Sequence, residues 1–346
     1  MHFLLSAESL KNKASIETTL QLIDREEELY VRGVAEARNV SVAPIAPRTV
    51  VFYGLGGSGI VGLIAATIYR DIAKTPLLAY NTALIPTWVG RDDFVVLLSY
   101  SGETSEVLRA ARRVAAKGVY SVAICSGGSL ERIARENGLP VVNVSRGLAP
   151  RMAVPEMLGA VTHLLDAAGI LSGAEEMLLA STKSLEKVRQ GFSAEADLPS
   201  NTAKKAALLL QDHLPHAISE SSLYPVALRL KNQLNENAKK PCIVIEVPEA
   251  MHNTLEGLPH TKKDRYIMYR WSGEEELMRV QLEFLKKLLN GRVFEARFDG
   301  SLAEATLSAI MWSDYVSIYL AALQSIDPLP VSKIAALRRE LEKLKK

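Results

Sequence analysis

Two cysteines, Cys125 and Cys242, are all that the 346 residues contain. They stand far apart and lack CxxC spacing, so no disulfide framework or zinc knuckle is expected, and a reducing, cytoplasmic compartment suits them best. Charge of one sign is also missing. The 41 basic and 39 acidic residues leave a net charge of +2, spread along the chain. No basic face follows from that balance, and nucleic acid is not an expected partner. There is no uninterrupted apolar run of ~18 residues, so no membrane span is expected. The opening MHFLLSAESLKNKASIE has only a short apolar run, without the long h-region of a signal peptide. No HxH pair or Asp/His cluster stands out, so no metal is expected. What is present is a globular balance: 48% hydrophobic and 23% charged residues. That length and composition suit one very large domain or two ordinary ones, each with its own core.

The order of elements points to two domains. Residues 8–38 read as one or two helices. Short apolar runs then alternate with helical stretches: RTVVFYG (48–54), LLAYN (77–81), FVVLLSY (94–100), YSVAICS (120–126) and LPVVNVS (139–145) read as strands. TSEVLRAARRVAAKG (104–118) is amphipathic, with Val107, Leu108, Ala111 and Val114 at helical spacing. This alternation predicts a parallel, doubly wound α/β sheet. Helices are expected over 155–171 and 174–192. A polar, proline-containing stretch at 193–202 is the expected linker. The rhythm then restarts with LPHAISE, CIVIEV (242–247), RYIMYRW (265–271) and RVFEARFDG, separated by helices, and closes on helices over 302–324 and 332–346. The expected domains are therefore 1–192 and 203–346. Two halves of similar rhythm suggest a duplication in shape, although no repeat is visible in the letters.

GLGGSG (54–59) places Gly54, Gly56 and Gly59 in a G-x-G-x-x-G pattern after a strand and before a helix. That pattern binds dinucleotides when an acid ends the second strand and holds the ribose. Here the second strand ends in AYNTA, with no acid, so a nicotinamide cofactor is not expected. The other reading is a phosphate nest: glycines allow close backbone approach, the helix N-terminus attracts an anion, and Ser58 adds a hydroxyl. SYSGETSE (99–106) supplies a second such loop, with Ser99, Ser101, Thr104 and Ser105 between a strand and a helix. A capping box explains one of these hydroxyls. It does not explain a cluster at the carboxyl end of a strand, where open α/β sheets bind ligands.

GGSG followed about 40 residues later by SxSGxT resembles the sugar isomerase (SIS) domain family, and the whole chain resembles bifunctional phosphoglucose/phosphomannose isomerases. The resemblance implies two SIS-type α-β-α sandwiches, an aldose–ketose isomerase acting on phosphosugars, and no cofactor. By the resemblance, Gly57, Ser58, Ser99, Ser101 and Thr104 hold the substrate phosphate. Thr104 is also the position tied to acceptance of the mannose epimer.

Aldose–ketose isomerisation needs a base over two adjacent carbons, electrophilic help for an enediolate, and a group that opens the sugar ring. Glu236 ends a helix among Asn232, Gln233, Asn235 and Asn237, where the helix dipole opposes a negative charge. QLNENAKKP resembles the family's catalytic segment, which implies that Glu236 is the base. Among the histidines, His2 is terminal, His163 lies on an apolar helix, His213 and His216 flank a loop, and His260 precedes TKK. His252 instead directly follows a strand, a frequent functional position. EAMHN resembles the family's His-Asn segment, although Thr254 departs from its pattern. That resemblance implies ring opening by His252, donated across a homodimer interface. Arg151 follows Pro150 in a loop after a strand, and the family match implies that it stabilises the enediolate. Lys333 opens the last helix, where the resemblance implies help in ring opening. A non-catalytic phosphosugar-binding protein is the alternative; it would need the hydroxyl loops but no base.

Overall fold

The computed structural model describes residues 5–343 apart from residue 12; His2 and the last three residues of the expected C-terminal helix lie outside the described residues. Helices α1 (Ala7–Lys11), α2 (Ala14–Asp24) and α3 (Glu26–Arg38) open the chain. Then β1 (Val50–Gly54), α4 (Gly56–Ile68), β2 (Leu77–Tyr80), β3 (Phe94–Leu98), α5 (Ser105–Ala116), β4 (Tyr120–Cys125), α6 (Gly128–Glu136) and β5 (Val141–Asn143) alternate. Their strands form a parallel sheet in the order β2-β1-β3-β4-β5. β1 and β3 are buried along their whole length. Covered on both faces, they show continuous apolar runs instead of alternation.

Helices α7 (Val154–Ala167), α8 (Ala174–Thr182) and α9 (Leu185–Phe192) lead out of this unit. The single helix expected over 174–192 is broken at Lys183–Ser184. The connection at 193–202 is pinned in place. The buried Asn201 amide donates to the carbonyls of Phe192 at 3.0 Å and Ser193 at 3.1 Å, and Lys204 Nζ donates to those of Ala194 and Ala196 at 2.8 Å.

The second unit contains α10 (Thr202–Leu210), β6 (Leu214–Glu220), α11 (Tyr224–Glu236), β7 (Ile243–Val247), β8 (Asp264–Trp271), α12 (Glu276–Leu288), β9 (Val293–Phe298), α13 (Leu302–Leu323) and α14 (Ser332–Lys343). Its parallel sheet runs β7-β6-β8-β9. Counted from its own first strand, this repeats the winding of the first sheet, so the duplication in shape is real. His216, expected beside a loop, lies inside β6 and is buried, with Nε2 3.3 Å from Asp264 Oδ1. LPHAISE is strand from its first residue, as expected, and of the two histidines only His213 lies in the turn before it. α13 is long and apolar enough to cross a membrane by length and composition, but its apolar window is 100% buried. It packs against α2, α8, α9, α10 and α11 and joins the two units around one core. α4, which follows β1 of the first sheet, touches α11 of the second unit.

Candidate active site

The first wall of the site is the turn from β1 into α4. The helix expected from about Ile60 begins at Gly56, inside the glycine loop itself. Only glycine permits so short a turn: a Cβ on Gly59 would stand 2.3 Å from the Gly54 carbonyl oxygen. The unpaired N–H groups of the first turn, with the positive end of the helix, face the cleft. Ser58 Oγ accepts a hydrogen bond from the Tyr100 N–H at 2.9 Å. This bond ties the glycine loop to the Ser/Thr loop and leaves the Ser58 proton free to donate.

The second wall is the turn from β3 into α5. Thr104 is the N-cap of α5, yet its side chain caps nothing. Its hydroxyl pairs instead with Ser99 Oγ at 2.9 Å. Ser99 is buried, 1% exposed, and lies beneath the cleft surface, orienting Thr104. Ser101 and Thr104 do line the cleft, and so does Ser105 at the start of α5. Ser101 Oγ accepts weakly from the Glu103 N–H at 3.3 Å. Two helix N-termini and several hydroxyls therefore converge on one space, a set of donors suited to a phosphate dianion. Tyr100 supports the next loop: its hydroxyl donates to the Ser145 carbonyl at 2.9 Å and accepts from the Leu148 N–H at 2.7 Å.

That loop delivers Arg151 on a short turn, Pro150–Met152, where proline sets the backbone. Gly57 makes room for it, since a Cβ there would stand 3.1 Å from Arg151 N, Arg151 Cα and the Pro150 carbonyl oxygen. Arg151 is 3% exposed, and every direction of its guanidinium is used. Nε donates to Asn237 Oδ1 at 2.6 Å, Nη1 to Glu236 Oε2 at 3.3 Å, and Nη2 to the carbonyls of Pro328 at 2.8 Å and Leu329 at 3.3 Å. Burial lowers its proton affinity and Glu236 raises it; a guanidinium retains its charge through such a shift.

Glu236 ends α11 with its side chain 23% exposed toward the cleft. The Arg151 guanidinium compensates the dipole that disfavours a carboxylate there. Asn237, fully buried, orients the pair: its amide donates to Ser317 Oγ at 2.9 Å, and Ser317 donates to the Asp314 carbonyl at 2.7 Å. Asp314 in turn holds Arg229 of α11, with Nε–Oδ1 at 3.0 Å. Lys239 Nζ donates to the Glu236 and Pro328 carbonyls; burial, then the neighbouring Arg151, lowers its pKa.

The cleft between these walls has a volume of about 350 Å³, enough for a sugar phosphate, and includes Gly57, Ser58, Ser101, Thr104, Arg151 and Glu236. Two expected residues are elsewhere. His252 is exposed on the turn Glu249–His252 after β7, and Lys333 is exposed at the start of α14; neither lines the cleft of this chain. The residues that the sequence did not single out are Asn237 as an orienting group, the 328–329 carbonyls, and the α14 face. Asn237 was visible only as one of several amides beside Glu236.

Fold and site together define a SIS-type, double α-β-α protein with a cleft lined by hydroxyls and helix N-termini. Residues 45–164 match the SIS domain model, and residues 199–341 match the bacterial phospho-glucose isomerase C-terminal SIS domain model. A bifunctional phosphoglucose/phosphomannose isomerase of Caldicellulosiruptor bescii is 30% identical over 95% of this chain and 99% of its own length. One from Aquifex aeolicus is 30% identical over 85% of this chain and 90% of its own. The solved C-terminal domain of glucosamine-fructose-6-phosphate aminotransferase from Francisella tularensis has the same fold at a TM-score of 0.67 and 14% identity, covering 89% of this chain and 96% of that one. The chain belongs to the bifunctional phosphoglucose/phosphomannose isomerase family.

Proposed function

We propose that this protein interconverts glucose 6-phosphate and mannose 6-phosphate with fructose 6-phosphate by proton transfer through a cis-enediolate, without a metal or cofactor. The observation that carries the reading is the pair formed by Glu236 and Arg151, 3.3 Å apart on the floor of a cleft walled by hydroxyls and helix N-termini. The loops of Ser58, Ser101 and Thr104 anchor the phosphate, with Ser99 behind Thr104. Glu236 carries the proton between C1 and C2. As it leaves one carbon, negative charge develops on the enediolate oxygens, and the fixed Arg151 guanidinium stabilises it without reorganising.

Ring opening falls to His252 and Lys333 in this reading. His252 is exposed and away from its own cleft, so the reading supplies His252 of the partner subunit in a homodimer. Lys333 moves in with α14.

The test is fructose 6-phosphate conversion with and without EDTA, reading both aldose products. Formation of both, unchanged by EDTA, supports the proposal. Binding of the sugar phosphate without turnover would replace it with a non-catalytic, phosphosugar-binding role. Mixing two inactive proteins, Glu236→Gln and His252→Ala, tests the donation in trans. Regained activity supports the shared site, and none contradicts it.

A further inference from the structure

The charges lining the cleft do not balance for an anionic ligand. Glu103, Glu106 and Glu236 face two arginines, Arg151 and Arg338. A phosphate dianion would enter a cleft that already has one more acid than base. Arg151 is fully used by Asn237, Glu236 and the 328–329 carbonyls. Glu103 accepts from the Ser129 N–H at 2.7 Å and its hydroxyl at 3.1 Å, so it is held to the start of α6. Arg338 is different. Among the described residues it has no hydrogen-bond or ion-pair partner, although it borders the same cleft as Ser58, Ser101 and Thr104.

Its helix is also unusual. Ile334, Leu337, Arg338 and Leu341 border the cleft at positions i, i+3, i+4 and i+7, one face of α14. Yet Ile334 is 40% exposed, Leu337 59% and Leu341 37%. An apolar face turned toward a cleft but left this open is only partly docked. Its starting point is fixed, because the carbonyls of Pro328 and Leu329 just before α14 bind Arg151. Arg338 lies seven residues beyond Val331, about 10 Å along the helix axis. α14 therefore starts at the Glu236–Arg151 end and carries Arg338 away from it.

We infer that α14 is a lid and that Arg338 is its phosphate-binding residue, closing on the anion held by the Ser/Thr and glycine loops. The guanidinium supplies the positive charge that the hydroxyl loops lack, in a geometry suited to two phosphate oxygens. Closure would also bury Ile334, Leu337 and Leu341. Arg338 is a specificity residue for the anionic end of the ligand and takes no part in proton transfer. The inference rests on the phosphosugar reading above.

The experiment compares the full chain with Arg338→Gln, which keeps most of the aliphatic stem. Inorganic phosphate is titrated against the thermal unfolding midpoint of each, and kcat and KM for fructose 6-phosphate are measured at two ionic strengths. The expected result is roughly tenfold weaker phosphate binding and a similar rise in KM, with kcat within about twofold, as expected for loss of one charge-assisted contact made equally in ground and transition states. Arg338→Lys should recover part of the loss. Unchanged phosphate binding and KM would overturn the inference. So would recovery on adding Glu106→Gln to Arg338→Gln, because Arg338 would then only neutralise that carboxylate. Because phosphate binding is read without turnover, an inactive wild type that still loses phosphate on Arg338→Gln would sink the isomerase reading and leave Arg338 standing as a phosphate-binding residue.

Discussion

Replacing Arg151 with lysine keeps the charge and removes the fork. The ammonium can reach one or two of the four acceptors that the guanidinium now holds: Asn237 Oδ1 at 2.6 Å, Glu236 Oε2 at 3.3 Å, and the Pro328 and Leu329 carbonyls at 2.8 and 3.3 Å. At least one buried acceptor then loses its partner, at a cost of about 1–3 kcal/mol. Asn237 is the most exposed to this loss, because its amide is fixed to Ser317 and cannot turn to a new donor. Glu236 is partly open to water, so its share of the ion pair is worth less than that of a fully buried pair. Loss of one preorganised donor to a developing oxyanion usually lowers kcat by about 10²–10³. Arg151→Lys should therefore lose about 2 kcal/mol of stability in denaturant titration and at least a hundredfold in kcat, with KM changed much less. A variant with kcat within threefold of wild type and an unchanged midpoint would refute the reasoning, since Arg151 would then be neither a clamp nor a catalyst.

Gly59→Ala puts a methyl group 2.3 Å from the Gly54 carbonyl oxygen, and backbone must move to admit it. Loss of at least ~2 kcal/mol in urea unfolding is expected, with phosphate binding weakened alongside. Asn237→Ala leaves Arg151 Nε without its acceptor and removes the amide that donates to Ser317 Oγ, which keeps its own bond to the Asp314 carbonyl. It should lower kcat tenfold or more, with partial recovery in Asn237→Gln only if that longer amide can reach Arg151 again. His216 is buried in β6, and burial lowers its pKa below 6.5 despite Asp264, whose own pKa is also lowered. The unfolded chain thus takes up the histidine proton first, so stability is full above about pH 6.5 and falls as pH drops below it. Asp264 adds a further loss below its unfolded pKa of 3.8. His216→Phe should flatten the upper part of that profile in thermal melts and leave the lower part.

Much of the fold was legible because burial leaves a strong mark on composition. VVFYG and FVVLL are continuous apolar runs, and a strand covered on both faces permits little else. Helix ends were harder. α4 starts within the glycines and α8 stops before α9 for reasons of local geometry that periodicity does not carry. LPHAISE was readable as a strand, and His216, as its third residue, belongs to that strand and not beside the turn that holds His213. At the site, Ser101, Thr104, Arg151 and Glu236 come together from segments far apart in sequence. Their types and loop positions were readable, but their convergence was not. Asn237 was hidden among neighbouring amides; Gln233 is buried as well, and only the structure shows that Asn237 is the one bonded to both Arg151 and Ser317. Arg338 was hidden for the opposite reason: a charged terminal helix looks like a solvated one until its cleft-facing side is seen.

The most direct test of the central claim is the fate of the transferred hydrogen. Fructose 6-phosphate is turned over in deuterium oxide by wild type and by Glu236→Gln, and the C2 deuterium content of the glucose and mannose 6-phosphates is read by NMR. Proton transfer by Glu236 through an enediolate predicts deuterium at C2 in both products, with the rate of product formation and exchange falling at least a thousandfold in the variant. A variant that forms and exchanges product within tenfold of the wild-type rate would contradict it.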